Sequence, residues 1–155
     1  VEKVIFEEKK YTMEDLEKAI FANWDGYEEF RQEMRKAPKY GNGDSYVDDI
    51  AVDIWKFVAA NVTKHVSRRG NYIEAQVQMT QANIWGGIFT PATPNGRFGY
   101  TALADTMSAE AGTDFNGPTG LARTYGRLDY PCHTGGTTLN MWISQSELME
   151  STRAN

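Results

Sequence analysis

The hydrophobic pattern of this sequence changes its period near residue 70, and that change limits the possible folds more than any other feature. Upstream, apolar residues recur at the i, i+3, i+4, i+7 spacing of an amphipathic helix. These residues are Val47, Ile50, Ala51, Ile54, Trp55, Val58 and Val62. Downstream, apolar and polar residues alternate from Ile73 to Met79, as in a strand. A helical first half and a strand- and glycine-rich second half predict an α/β fold.

The helical half is predicted to span residues of about 12–69. Thr12 followed by Asp15 predicts an N-cap, and the apolar face of this first helix is predicted to end at Trp24. A second helix carries apolar residues at helical spacing up to Met34 and ends at Pro38. The third helix, the clearest of the three, runs from about Tyr46 to about Ser67. Its candidate N-caps are Ser45 and Asp44, and Gly70 is its candidate C′ residue.

Outside these helices the pattern predicts strands and loops, mainly over residues of about 72–143. Val4–Phe6 reads as a short strand or an extended lead-in. Two further segments are predicted as strands: the apolar run from Asn83 to Phe89, which leads to a Pro94-Asn95-Gly96 turn, and Thr137–Ile143. Three other predictions complete the chain: a partly helical segment at Ala102–Gly112, a helix start at Asn116–Thr119 and a capping box at Ser144–Glu147.

Composition narrows the class of protein. The chain has 155 residues, 41% of them hydrophobic, which is enough for one domain with a core. A net charge of −5 disfavours a nucleic-acid surface. We find neither an apolar run of 18 residues nor a signal-peptide leader, so we expect no membrane span and a cytoplasmic location. The single cysteine excludes an intrachain disulfide.

No group of residues reads as a complete active site. Cys132 and His133 are neighbours, which point apart on an extended chain, so a structural or pocket-wall role is favoured over nucleophilic catalysis. Two histidines and one cysteine are too few for a zinc spacing, so we expect no metal site. His65 and the pair Arg68-Arg69 read as helix-end residues. The loosely spaced carboxylates read as helix or loop groups; they are Asp105, Glu110 and Asp114.

Five blocks in order resemble the glycyl radical enzymes, the pyruvate formate-lyase-like superfamily. The blocks are Trp24–Arg31, Ala37–Asp48, Thr93–Arg97, Leu103–Thr119 and Gly135–Met141. The second is similar to the family pattern APKYGNDDDYVD, and the third to its TPDGR turn, with Asn95 in place of Asp. The resemblance covers residues of about 20–145.

The resemblance implies a segment of a cytoplasmic, anaerobic enzyme built on a ten-stranded α/β barrel, with residues 1–155 as a single barrel segment. It implies a catalytic cysteine on one loop and, on another, a glycine oxidised to a radical by an S-adenosylmethionine and iron–sulfur activase. Neither loop pattern, GCxE or RVxGY, occurs here. We therefore expect no catalytic residue and no bound cofactor in this chain. Its expected partners are the rest of the enzyme, the activase, a small-molecule substrate and further copies in a homo-oligomer.

Alignment with the family pattern TANVPFG makes four residues candidates for the substrate pocket. They are Gln81, Asn83, Trp85 and Gly86. Trp85 replaces the pattern's Pro and Gly86 replaces its Phe, which in the family presses on the substrate. The missing ring implies room for a bulky or aromatic substrate, as in an arylacetate decarboxylase or a fumarate-adding enzyme. A diol- or choline-type dehydratase or lyase, and a non-catalytic binding or assembly domain, remain alternatives.

Overall fold

The computed structural model describes residues 1–77 and 81–141 of the 155. The chain divides into two compact units. The first comprises Val1–Pro38 and Met79–Ala104, and the second comprises Lys39–Gln78 and Asp105–Asn155. The predicted capping box at Ser144–Glu147 lies outside the described residues. That the 155 residues form a single barrel segment stays a prediction.

Helices dominate both units. In the first unit a π-helix spans Glu2–Glu7, and three α-helices follow: α1 (Met13–Phe21), α2 (Glu28–Lys36) and α4 (Ala82–Phe89). The second unit contains α3 (Ser45–Val62), α5 (Gly117–Tyr125) and a 3₁₀ turn at Tyr130–Cys132. No helix in the described ranges is both long and apolar enough to span a bilayer.

The N-terminal segment is helical, so the prediction of a strand or extended lead-in at Val4–Phe6 was wrong. Backbone N–H groups bond to carbonyls four and five residues back, as from Ile5 to Val1 and from Glu8 to Lys3. This π-helix buries both Val4 and Ile5, although they are adjacent in sequence. Burial of the pair outweighs the strand preference of the β-branched residues.

Local capping signals in the first unit are confirmed. The Thr12 side chain accepts from the backbone N–H of Asp15, and the Asp15 carboxylate accepts from the Thr12 N–H. The Thr12 hydroxyl also donates to the Asp15 carboxylate, at 2.7 Å, and this bond together with that from the Thr12 N–H lowers the pKa of Asp15, because both favour its charged form. α2 ends at Lys36, before Pro38, as predicted.

The core of the first unit is one cluster of buried residues from the π-helix, α1, α2 and the segment after α4. They are Val4, Ile5, Leu16, Ala19, Trp24, Phe30, Met34 and Ala92. Trp24 belongs to this core but not to a helical face. It follows the end of α1 with a φ of +67°, and Asn23 before it has a φ of +51°. The chain therefore turns sharply between α1 and α2.

α3 is shorter than predicted. Asp44 caps it, accepting from the Tyr46 N–H, but the helix ends at Val62 rather than near Ser67. Gly70, with a φ of +83°, lies in the tight turn of a Ser67–Asn71 loop instead of at the helix terminus. The loop's own hydrogen bonds, including Gly70 N–H to Ser67 carbonyl, compete with continuation of the helix.

Of the predicted apolar stripe of α3, only Trp55 is buried within the described part of the chain. The buried residues are Asp48, Trp55 and Ala59. Most of the other apolar residues of the helix remain exposed; these include Ile50, Ile54, Phe57 and Val58. The helix is therefore apolar on two sides, of which the described residues cover only one.

The strands predicted for the second half are not found in the described residues. Residues 82–89 form α4, the region 102–112 is turns rather than helix, and backbone pairing is limited to isolated bridges such as Val77 with Thr137. Two bonds join these segments, from Gly135 N–H to Ala75 and from Val77 N–H to Gly136. The helical part of the predicted α/β class is thus confirmed, and the barrel stays a prediction. The helix start at Asn116–Thr119 is confirmed in α5.

Candidate functional site

The four pocket candidates all lie at the start of α4. Gln81 is the N-cap, with a φ of +58°, and its carbonyl accepts from the N–H groups of Ile84 and Trp85 at 3.1 and 3.3 Å. Asn83 and Gly86 are half-buried, whereas Trp85 is 64% exposed. The helix begins in the left-handed conformation without a side-chain cap. Its position therefore depends on contacts made further along.

Gly87 is the contact point of α4 with the rest of its unit. A Cβ atom at this position would overlap the Thr101 carbonyl oxygen and lie 2.8 Å from the Ala102 Cα. Only glycine permits this approach between helix and backbone. At Gly86 a Cβ would lie 3.4 Å from the Leu103 side chain, an ordinary contact. The two adjacent glycines therefore differ: Gly87 packs against backbone and admits no Cβ, whereas Gly86 admits a Cβ in ordinary contact with the Leu103 side chain.

Arg97 binds the segment that follows α4. Its guanidinium and Nε donate to the carbonyls of Thr90, Pro91, Phe98 and Thr101, at 3.5, 2.6, 3.0 and 2.8 Å, and also to the hydroxyls of Thr93 and Thr101. The residue is 5% exposed. A buried cation needs such hydrogen bonds, because it has lost its water. The segment is therefore folded around the Arg97 side chain.

Side chains at the corner between α1 and α2, and from α2 itself, bind main-chain atoms of the same segment. Asn23 Oδ1 accepts from the Gly99 N–H at 2.7 Å, and Trp24 Nε1 donates to the Arg97 carbonyl at 3.2 Å. Arg31 Nε donates to the Gly96 carbonyl at 2.9 Å, and its guanidinium lies 3.8 Å above the Phe98 ring. The corner thus fixes the turn that carries Arg97.

In the second unit, Cys132 and His133 have structural contacts. The His133 ring is 4% exposed, stacks on Trp55 with centroids 3.6 Å apart, and its Nε2 lies 2.9 Å from the Trp55 carbonyl. The Cys132 thiol donates to the Asp129 carbonyl at 2.8 Å. Asp129 also accepts from Trp55 Nε1. This arrangement supports the packing role predicted for the pair.

The other candidates from the sequence do not assemble into a site. His65 is exposed beyond the end of α3, and Arg68 and Arg69 lie exposed in the turn after it. The Asp105 carboxylate accepts from the Asn140 side chain. Over the described ranges, His, Cys, Asp and Glu side chains form no group of three able to hold a metal ion.

The pKa of the Tyr40 phenol, in the second unit, is shifted by its surroundings. Burial, followed by the charges of Asp48 and Tyr125, raises its pKa to about 12. Among the described residues neither the Tyr40 hydroxyl nor the Asp48 carboxylate has a hydrogen-bond partner. The folded state therefore favours the neutral phenol.

This shift predicts a loss of stability at alkaline pH. The raised pKa of Tyr40 stabilises the folded state fully below pH 10, the ordinary pKa of tyrosine, and this stabilisation is lost as the pH rises to about 12. Tyr40→Phe removes the titration. The free energy of unfolding of the variant minus that of the wild type should be up to about 1 kcal/mol larger at pH 11 than at pH 8. Unfolding midpoints measured at both pH values test this, and parallel pH profiles would contradict it.

Comparison with known proteins identifies the family. A family model described as pyruvate formate lyase-like matches residues 1–87, more than half of the 155. The chain belongs to this family. The resemblance to glycyl radical enzymes is thereby confirmed, and a solved structure described as a glycyl radical enzyme, from Archaeoglobus fulgidus, aligns with a TM-score of 0.86 and 28% identity over 95% of this chain and 19% of its own.

Over the aligned residues, two curated members of the family are about a third identical to this chain. An isethionate sulfite-lyase of Bilophila wadsworthia is 37% identical over 121 residues, covering 78% of this chain and 15% of the relative. A trans-4-hydroxy-L-proline dehydratase of Clostridioides difficile is 35% identical over 143 residues, covering 92% and 18%. The chain therefore spans less than a fifth of the length of these relatives.

The fold agrees with that of a substrate-bound family member. The glycerol-bound, B12-independent glycerol dehydratase of Clostridium butyricum aligns with a TM-score of 0.85 and 29% identity over 97% of this chain and 20% of its own.

Sequence reasoning gave no role to Asn23, Gly87 or the Arg97 side chain. Two signals were present: adjacent glycines in an apolar run indicate a close backbone approach, and an arginine directly after a Pro-Asn-Gly turn is placed to bind the turn's carbonyls. The Asn23 contact had no signal, because it joins residues 76 positions apart.

Proposed function

We propose that this chain is part of a glycyl radical enzyme of the lyase type, which breaks C–C or C–heteroatom bonds anaerobically. The glycyl radical, installed on another segment by an S-adenosylmethionine and iron–sulfur activase, would start the chemistry. The role of this chain is to shape the substrate pocket rather than to react. Membership of the family and the relatives named as lyases and dehydratases support this proposal.

One observation carries the assignment of the pocket wall to α4. A Cβ at Gly86 would make an ordinary contact with the Leu103 side chain, at 3.4 Å, and Trp85 beside it is 64% exposed. The next residue, Gly87, has no such room, so α4 presents Gly86 from a fixed backbone. A half-buried position without a side chain, between the Leu103 side chain and an exposed indole, suits an apolar group of a ligand.

We assign this pocket a bulky or aromatic substrate, as in an arylacetate decarboxylase or a fumarate-adding enzyme. An indoleacetate decarboxylase of Tractidigestivibacter scatoligenes, 29% identical over 173 residues, is among the relatives. The second candidate is a diol- or choline-type dehydratase or lyase. It is supported by the higher identity to the hydroxyproline dehydratase and the similarity to the glycerol dehydratase.

Gly86→Phe in the full-length, activated enzyme tests the size of the pocket. A phenyl ring at this position should lower kcat/KM for an arylacetate by roughly 10- to 100-fold, because it occupies the space of the substrate ring. Gly86→Ala is the matched control and should have much less effect. Turnover is measured by anaerobic product analysis after activation.

Three results would contradict parts of this proposal. A wild-type preference for a two- or three-carbon polyol would favour the dehydratase alternative. A structure of the full enzyme with the Trp85 indole filling the space at Gly86 would remove the pocket. The absence of a glycyl doublet in electron paramagnetic resonance after anaerobic activation would favour the non-catalytic domain.

A further inference from the structure

The Arg97 guanidinium is buried without a carboxylate. Its acceptors are carbonyl and hydroxyl oxygens, and no ion pair to it is found within residues 1–77 and 81–141. A buried charge held only by neutral dipoles is costly unless its geometry is well satisfied. The planar guanidinium, with its five N–H donors, is therefore held in one orientation by a particular set of backbone carbonyl oxygens.

Those oxygens lie at two places that determine where α4 sits. Thr90 is the C-cap of α4, and its carbonyl accepts from Arg97 Nη2 at 3.5 Å. Thr101 accepts through its carbonyl at 2.8 Å from Nη1, and this same oxygen is the one that Gly87 packs against. One guanidinium therefore joins the end of the helix to the backbone on which the helix rests.

Two further bonds join these segments to the backbone of α4 at Asn83 and Gly86. The Leu103 N–H donates to the Asn83 carbonyl at 3.1 Å, and the Thr90 hydroxyl donates to the Gly86 carbonyl at 2.6 Å. Both Thr90 and Leu103 belong to the segments that flank Arg97. A shift of these segments would move the backbone of Asn83 and Gly86 with them.

We propose that Arg97 is a positioning residue for substrate selection: it fixes α4, and with it the pocket wall at Trp85 and Gly86. The inference rests on the proposed function of that wall. Arg97 does not touch the substrate. It acts through the hydrogen bonds to Thr90 and Thr101.

The test uses Arg97→Lys and Arg97→Met in the full-length enzyme, with Arg68→Met, an exposed arginine, as the matched control. Lysine keeps the charge but cannot reach the separate acceptors of the fork. We expect both variants to retain the wild-type glycyl radical signal after activation. Their KM should rise on the order of tenfold or more, with a smaller change in kcat, because the pocket wall is displaced. Hydrogen exchange of residues 82–90 should accelerate in both.

Gly87→Ala supplies a second route to the same displacement, because it pushes on Thr101 without changing Arg97. It should reproduce the rise in KM. The inference is overturned if exchange over 82–90 is unchanged in the Arg97 variants, or if radical yield and kcat fall together at constant KM. If wild-type enzyme accepts only small polyols, the proposed substrate class fails. The Arg97 inference is then decided by the same exchange rates and by the KM for the polyol.

Discussion

Replacing Gly87 by alanine is expected to loosen α4. The added Cβ would overlap the Thr101 carbonyl oxygen and approach Ala102 Cα to 2.8 Å, and both are backbone atoms that cannot rotate away. Such overpacking costs typically about 1–3 kcal/mol. Alanine also favours a helix over glycine by about 1 kcal/mol, which acts in the opposite direction. The clash should win, because it also strains the bond from Leu103 to Asn83.

Gly86→Ala is the matched control for this substitution. It brings the same gain in helix propensity, but its Cβ meets only the Leu103 side chain, at 3.4 Å. We expect it to be neutral or to slow hydrogen exchange in residues 82–90, whereas Gly87→Ala should accelerate exchange there. Equal exchange in the two variants would show that α4 does not rest on Thr101.

Trp24→Ala is expected to cause the largest loss of stability in the first unit. The side chain is 1% exposed, meets the Phe30 ring edge-on at 5.7 Å, and donates to the Arg97 carbonyl. Removing a buried Trp side chain costs about 3–5 kcal/mol. The loss should appear as a lower calorimetric midpoint and as faster exchange in α1 and α2.

Phe21→Ala provides the comparison, since Phe21 ends α1 but is 82% exposed. We expect a change within about 0.5 kcal/mol for this surface substitution. Trp24→Phe should lie between the two, because it keeps most of the apolar volume and loses the indole hydrogen bond. If Trp24→Ala is as mild as Phe21→Ala, the indole is not an essential part of the core.

Three helix starts could be predicted from the sequence because their signals are local. The Thr12–Asp15 box, the Asp44 cap and Pro118 at the start of α5 all depend on residues within one turn. The end of α3 could not, because it is set by the hydrogen bonds of the Ser67–Asn71 loop rather than by the helix pattern.

The secondary structure of the candidate site was harder to predict from the sequence. The apolar run of seven residues from Asn83 to Phe89 is ambiguous between strand and helix. The pairs Ile84/Ile88 and Trp85/Phe89, at i, i+4, favoured the helix that the structure shows. The predicted strands of the second half fail for another reason. Pairing depends on which distant segments meet, and the described residues provide only two backbone bonds between residues 75–77 and 135–137.

The hydrogen bonds from the α1–α2 corner and α2 to the turn at residues 96–99 have an evolutionary consequence. Asn23, Trp24 and Arg31 hold the N–H of Gly99 and the carbonyls of Arg97 and Gly96, all main-chain groups. The residue at position 95 can therefore vary, as with Asn95 where the family pattern has Asp, whereas Arg97, whose side chain binds the segment's carbonyls, and the number of residues between Gly96 and Gly99 cannot. Natural variation here should consist of substitutions, and insertions or deletions should be rare.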